Sequence, residues 1–262
     1  MTSTIEHFAL LGLFLLLFVL LSFVALLLHK TRQIHLATYK ILDDTTFTRQ
    51  EASVLFAQIQ ALFALERKLG MSEALPPMRG WAASPDFLMV VADEILTRKP
   101  QTVMECSSGV STLVAARCLQ LNGSGHVYSL EHEIHYANKT RDLLNKYGLT
   151  EWASVLDAPL QTKHTETPWY SEEAIPENLA PIDLLVVDGP PASTAPLARF
   201  PALPRLLPRM AKDALVILDD ADRDDEQEMI RQWILRTPEL RQTNRFCEKG
   251  CVVIQLKNNY SL

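Results

Sequence analysis

Val103-Met-Glu-Cys-Ser-Ser-Gly-Val-Ser-Thr112 is the stretch on which the fold turns. Val103, Met104 and Cys106, with Glu105 set among them, make a short apolar run that stops at Ser107-Ser108-Gly109, and residues 113–121 continue with helical composition. The pattern predicts a buried strand, a tight turn and a helix. In an open parallel sheet, ligands bind beyond the carboxyl ends of the strands. There a turn of small residues lets backbone N–H groups and a helix N-terminus approach a polar or anionic ligand. Glu105 is expected to aim a carboxylate into such a crevice. A strand, a turn and a helix with one glycine also recur as plain architecture, so the spacing of the next acidic residue along the chain decides.

Gly123-Ser-Gly125 closes the helix, and His126-Val-Tyr-Ser-Leu130 reads as a second strand ending at Glu131. An acid at the end of the second strand, about 20 residues past the turn, is the position from which dinucleotide-binding sheets reach ribose hydroxyls. Two carboxylate oxygens match two vicinal hydroxyl donors.

The alternation continues. Residues 136–147 read as a helix closed by Gly148, and 153–156 as a third strand ending at Asp157. Residues 161–181, with Trp169-Tyr170 and three prolines, make a connection of a length that tends to be functional or disordered. Residues 182–187 form an apolar strand halted at Asp188-Gly-Pro-Pro191, since two prolines cannot continue a ladder. A proline-interrupted helix is expected over 197–210, a fifth strand over 214–218 ending in Asp219-Asp220, and a helix over 224–235 with an acidic first turn. Residues 242–246 and 251–256 then read as a hairpin. Seven strands, five of them alternating with helices, predict an α/β fold: a Rossmann-like, mostly parallel sheet with helices on both faces and an antiparallel strand at or near one edge.

Upstream, residues 8–28 are apolar except for Gly12 and Ser22. As a helix they span about 30 Å, the thickness of a bilayer's hydrocarbon core. The run is longer than a signal-peptide core, has no basic residue before it and no clear cleavage site, so a retained anchor is expected. Glu6 precedes it, whereas Lys30, Arg32 and Lys40 come after it. Basic residues stay on the cytoplasmic side, which predicts a cytoplasmic body. Residues 33–70 carry apolar positions at three- and four-residue steps, with Thr48 and Glu51 as a capping box and Gly70 as a stop. Ser84 and Pro85 begin a further helix that ends before Pro100, and Arg79 and Trp81 in the preceding loop are candidates to line a site. The expected organisation is an anchor over 1–30, a helical stalk over 31–74 and a catalytic domain over 75–262.

The net charge of -6 shows no electrostatic footprint for nucleic acid. Cys106, Cys118, Cys247 and Cys251 lack a second ligand pair at zinc spacing and read as reduced, mostly buried thiols.

Taken together, Glu105-Cys-Ser-Ser-Gly-Val-Ser-Thr112, the Asp188-Gly-Pro-Pro191 turn, Ala198-Arg-Phe-Pro-Ala-Leu203 and Asp219-Asp-Ala-Asp-Arg223 resemble a subgroup of the class I S-adenosylmethionine-dependent methyltransferases. The resemblance covers residues 81 to about 256. It implies that Glu105 and the Ser107, Ser108 and Gly109 backbone, within the turn that continues through Ser111, hold the amino-acid end of the cofactor. It implies likewise that Glu131 binds the ribose and that Asp157 with Ala158 lies near the adenine. Ser107 stands where the family usually has its first glycine, which implies weaker or reshaped cofactor binding. In catechol-type members, positions like Asp188, Asp219 and Asp220 hold a divalent cation, for which carboxylate ligation suits magnesium.

Methyl transfer is an in-line displacement that needs alignment of the nucleophile and, for a hydroxyl, removal of its proton. Without a metal, Asp188 is the candidate base, and it also borders the cofactor. Asp220 and Arg223 are further catalytic candidates, Arg223 orienting a carboxylate or pairing with Asp220; His132, His135 and His164 are candidate bases too, although a lone histidine is more often a surface or satisfied core group. The acceptor is expected to be a small-molecule, lipid or lipid-linked oxygen. Two other classes stand beside this one. A nicotinamide-dependent oxidoreductase is disfavoured by the missing G-x-G-x-x-G, and a catalytically silent membrane-tethered binding protein is suggested by Ser107 and the stalk.

Overall fold

The computed structural model describes residues 2–71, 73–78, 80, 82–163 and 165–256. Arg79, Trp81 and His164 lie outside the described residues. The chain forms two compact units, Met1–Phe56 and Ala57–Leu262.

The described residues of the first unit are all helical, as part of α1 (Thr2–Leu69). Its stretch Leu10–Leu42 is long and apolar enough to cross a membrane, with a mean hydropathy of 3.1 and no buried side chain in its most apolar window. The hydroxyls of Thr31 and Thr38 donate to the carbonyls of Leu27 and Ile34, at 2.8 and 2.9 Å, so these polar groups are satisfied within the helix itself. The helix runs through Thr48 without a break, which corrects the capping box expected there. No glycine or proline interrupts residues 42–51, and a capping residue acts only where the chain leaves the helix. The side chains of Thr48 and Glu51 lie outside the described ones.

The second unit begins inside α1. Leu65 and Leu69 are fully buried in the same core as Phe87, Leu88 and Val91 of α2 (Pro85–Arg98), so residues 57–69 pack with the sheet domain. Gly70 ends α1 in the left-handed region (φ 56°), a conformation open to glycine because it lacks a Cβ.

The main sheet comprises β1 (Thr102–Cys106), β2 (His126–Glu131), β3 (Ala153–Asp157), β6 (Ile182–Val187), β7 (Met210–Asp219), β8 (Leu240–Arg245) and β9 (Cys251–Leu256). The intervening β4 (Leu160–Gln161) and β5 (Trp169–Tyr170) form a separate antiparallel ribbon. The order is β3-β2-β1-β6-β7-β9-β8. The first five strands are mutually parallel, and β9 runs antiparallel between β7 and β8. All five residues of β1 are buried, as a central parallel strand requires.

Alternation divides those residues between two cores. Val103 joins α2, α3 (Val110–Asn122) and α4 (Ile134–Lys146) on one face, while Met104 and Cys106 join the ribbon, α5 (Ala202–Leu206) and α6 (Asp224–Arg236) on the other. The expected helix over 197–210 is reduced to α5 and one 3-10 turn at Leu207–Arg209. Pro201, Pro204 and Pro208 remove the backbone donors a longer helix needs. From β3 the chain crosses back to place β6 beside β1, so the strand order reverses between β1 and β6. At such a switch point the connections leave in opposite directions and open a crevice.

Candidate active site at the β1–β6 switch point

Glu105 and Ser129 are cross-strand partners on β1 and β2, and Glu131 lies two residues beyond Ser129. A strand repeats every second residue, so Glu105 and Glu131 share the face covered by α3. Glu105 is buried (1 % exposed), and its Oε2 accepts from Thr112 Oγ1 at 2.6 Å and from Ser129 Oγ at 2.5 Å, while Oε1 has no partner among the described residues. Burial pushes the Glu105 carboxyl up, against hydroxyls of Ser111, Ser129 and Thr112 that favour its charged form. Thr112 also accepts from the Gly109 N–H at 3.0 Å, tying the start of α3 to the turn.

Ser107 occupies φ 109°, where an L side chain is strained, and its N–H donates to Leu130 O at 3.0 Å. The substitution noticed in the sequence therefore carries a real backbone cost, of about 1–3 kcal/mol for a side chain held in a sparsely populated region. Ser108 Oγ donates to Glu131 Oε2 at 2.8 Å and lies 3.1 Å from Thr140 Oγ1. Glu131 Oε1 accepts the Glu133 N–H at 3.0 Å, with His132 Nδ1 3.1 Å away. Burial opposes the Glu131 charge, but His132, the Glu133 N–H and Ser108 outweigh it and hold the carboxyl below the ordinary range. Each carboxylate oxygen has two lone pairs, so Oε2, engaged among the described residues by Ser108 alone, retains acceptor capacity. Asp157 pairs with Arg141 at 2.7 Å and is exposed, whereas Ala158 is fully buried and its N–H donates to Glu131 O at 2.7 Å.

Across the switch point, Asp188, Asp219 and Asp220 each present a carboxylate oxygen within 4.8 Å of the others. Asp188 lies just past β6, Asp219 ends β7, and Asp220 takes φ 58° in the next turn. Burial, and after it the neighbouring Asp219 charge, pushes Asp188 well above the usual carboxylate range, with Arg199 pulling the other way. Burial and then Asp220 push Asp219 up to about 6. Asp219 Oδ1, Asp220 Oδ1 and Glu226 Oε2 are buried without a partner among the described residues.

Arg199, to which the sequence pattern assigned no role, is the hub of this edge. Its buried guanidinium donates to Asp220 Oδ2 at 2.8 Å, Asp188 O at 2.9 Å, Asp219 O at 3.0 Å and Pro190 O at 3.4 Å. It also reaches Asp188 Oδ1 at 3.3 Å and Glu226 Oε1 at 3.7 Å. A rigid fork of five donors thus joins the Asp188–Pro191 turn to the Asp219–Asp220 turn. Its segment is pinned in turn by Trp233 Nε1 donating to Phe200 O at 2.9 Å and by Leu197 N–H donating to Asp225 Oδ2 at 3.0 Å. The signal for Arg199 was the Ala198–Leu203 run itself, an arginine in an otherwise apolar stretch. Arg223 pairs with Asp220 Oδ2 at 2.9 Å and is half exposed. His135 is exposed and packs its ring on Tyr136.

The trio fits a hard cation in its chemistry: oxygen donors only, two of them buried and unpartnered. Arg199 already shares two of the three carboxylates.

The family described as "Methyltransferase domain" matches residues 106–221. No curated protein matches the chain in sequence. Among solved structures, the chain is similar to the S-adenosylhomocysteine-bound methyltransferase PaMTH1 of Podospora anserina, with 14% identity over 76% of this chain and 88% of that one and a TM-score of 0.54. An O-methyltransferase from Bacillus cereus in complex with S-adenosylhomocysteine is similar at 16% identity, over 76% and 91% of the two chains, with a TM-score of 0.53. A putative O-methyltransferase from Klebsiella pneumoniae is similar at 19% identity, over 77% and 90%, with a TM-score of 0.51. The sheet order, the switch point and these likenesses together make the fold that of a class I S-adenosylmethionine-dependent methyltransferase.

Proposed function

We propose that the chain transfers a methyl group from S-adenosylmethionine to an oxygen of a small-molecule, lipid or lipid-linked acceptor at the cytoplasmic face of a membrane. The observation that carries this reading is Glu131, a buried carboxylate at the end of β2 with acceptor capacity left on Oε2, beside a switch point whose other lip is acidic. The cofactor, when bound, supplies an electrophilic methyl on a cationic sulfonium.

In this reading Glu131 accepts from the ribose hydroxyls, the Ser107–Gly109 backbone and Glu105 hold the amino-acid end, and Ala158 borders the adenine with Asp157. Where no metal is held, Asp188, its carboxyl pushed well above the usual carboxylate range by burial, takes the acceptor's proton in its ionised form. Arg199 holds Asp188 and Asp220 in register and Arg223 steadies Asp220 from the solvent side. Asp188, Asp219 and Asp220 would hold a magnesium ion, which would gather acceptor oxygens and lower the pKa of a hydroxyl. The apolar stretch of α1 anchors the chain as a single span, and Lys30, Arg32 and Lys40 after it place the remainder on the cytoplasmic side.

Calorimetric titration of the detergent-solubilised chain with S-adenosylmethionine tests the reading: saturable binding at micromolar concentrations is expected, abolished or weakened at least tenfold by Glu131→Gln. No heat with S-adenosylmethionine, or binding of NAD instead, would overturn it. Magnesium titration in the same preparation is expected to raise the melting temperature and to lose that effect in Asp219→Asn; an unchanged midpoint rejects the metal. The strained Ser107 favours a second reading, a tethered protein that binds the cofactor without chemistry. Cofactor binding without transfer of labelled methyl to lipid extracts or soluble metabolites would select it.

A further inference from the structure

The connection between β3 and β6 carries a side chain that neither the sheet nor the acidic edge explains. Tyr170, on the β4–β5 ribbon, is 1 % exposed, yet its hydroxyl has no partner among the described residues. Buried tyrosine hydroxyls usually find one, because a desolvated donor and acceptor left idle is unfavourable.

The place of this hydroxyl is informative. A Cβ built on Gly189 would come within 2.5 Å of it, and within 3.0 Å of Ser107 Cβ. The hydroxyl therefore sits where the turn after β1 meets the turn after β6, next to Asp188. The ring stands edge-on to His132, with 6.0 Å between centroids, which extends the contact toward Glu131. Burial, ahead of the surrounding thiol and carboxylates, holds the phenol far above its usual titration range, so it stays neutral. The ribbon that delivers it is fixed by the Leu160↔Tyr170 pairing, by Ser171 N–H donating to Pro159 O, and by the Arg205–Glu172 ion pair.

We infer that the Tyr170 hydroxyl oxygen is a binding group for the sulfonium end of the methyl donor, its lone pairs facing the cationic centre between Ser107 and Asp188. A neutral phenol suits this task because it offers electron density to a cation without adding a further charge to a buried acidic edge. The inference rests on the proposed methyl-transfer reading and adds to it a residue and a charge preference. S-adenosylhomocysteine lacks the sulfonium charge, so Tyr170 separates the methyl donor from the spent product.

The test compares the full-length chain in detergent with Tyr170→Phe, using S-adenosylmethionine and S-adenosylhomocysteine as calorimetric probes. Because the hydroxyl has no partner among the described residues, the melting temperature of Y170F without ligand is expected to equal or exceed that of the parent. Affinity for S-adenosylmethionine is expected to fall about tenfold, and affinity for S-adenosylhomocysteine by less than threefold. Parent and variant binding both probes equally would overturn the inference while leaving the methyl-donor reading intact. An equal loss for both probes rejects the charge preference. A variant that unfolds or melts far lower shows that the hydroxyl is structural, which also overturns it. A parent that binds neither probe removes the methyl-donor reading and this inference together.

Discussion

At the scale of single residues, Arg199 is the buried cation of the acidic edge, with Arg223 pairing from the solvent side. Replacing Arg199 with methionine leaves Asp188, Asp220 and Glu226 buried with less countercharge and frees three carbonyls. Breaking a buried pair in this way costs about 3–5 kcal/mol. Urea unfolding of R199M is expected to show that loss, and R199K to recover little of it, since an ammonium cannot reproduce the planar fork. Asp219 gives a pH signature. Its folded pKa, about 6, lies above its unfolded value, so the native state binds the extra proton between about pH 4 and pH 6. Stability contributed by that proton is present at the acid end and lost as pH rises through 6. In chelator, Asp219→Asn is therefore expected to be the more stable form at pH 7, by on the order of 1–3 kcal/mol, with the difference vanishing below pH 4. Melting curves of both forms across that range check the sign. Ser107→Gly releases the strain at φ 109° but adds freedom to the unfolded chain, for a net gain of about 0.5–2 kcal/mol. A melting temperature for S107G below that of the parent would contradict this account. The acids were readable before the fold was known, because a strand that stops at a carboxylate marks a sheet edge. Arg199 was not, because its partners come from two turns that meet only when β6 and β7 pair.

Elements show where local pattern suffices. Strand, turn and helix around β1 arise from composition, and α3 starts at Val110, directly after the turn and three residues ahead of the run read as helical. Thr112 is the joint between them, its hydroxyl donating to Glu105 and accepting from Gly109. Thr112→Val keeps the shape and leaves a buried carboxylate and an N–H each short of a partner, at a cost of about 1–3 kcal/mol. Chemical denaturation is expected to show it, together with weaker binding of S-adenosylmethionine. The β4–β5 ribbon escaped sequence reading because two-residue strands have no periodicity to detect. Its Trp169 and Tyr170 are nevertheless among the largest fully buried side chains. The helix expected before β7 is shortened to α5 and a 3-10 turn for a local reason, three prolines within eight residues.

For the whole molecule, the chain divides into its two compact units between Phe56 and Ala57. Leu65 and Leu69 are fully buried, and each contributes about 1.5–3 kcal/mol by leaving water. A chain covering 57–262 is therefore expected to be monodisperse without detergent and to melt cooperatively, whereas 75–262 exposes the core beneath those leucines and aggregates. Size-exclusion chromatography of the two truncations distinguishes the outcomes. Residue order alone determined the apolar span, the seven-stranded α/β plan and the acids at the strand ends, because hydropathy period and chain-breaking residues act over a few neighbours. Only the tertiary structure decided that Arg199 ties the two acidic turns together, that the Tyr170 hydroxyl is buried beside Gly189 without a partner among the described residues, and that the last turns of α1 belong to the core of the sheet unit. Those contacts join positions far apart in the chain, and burial and charge are set by what surrounds a side chain once the sheet has closed.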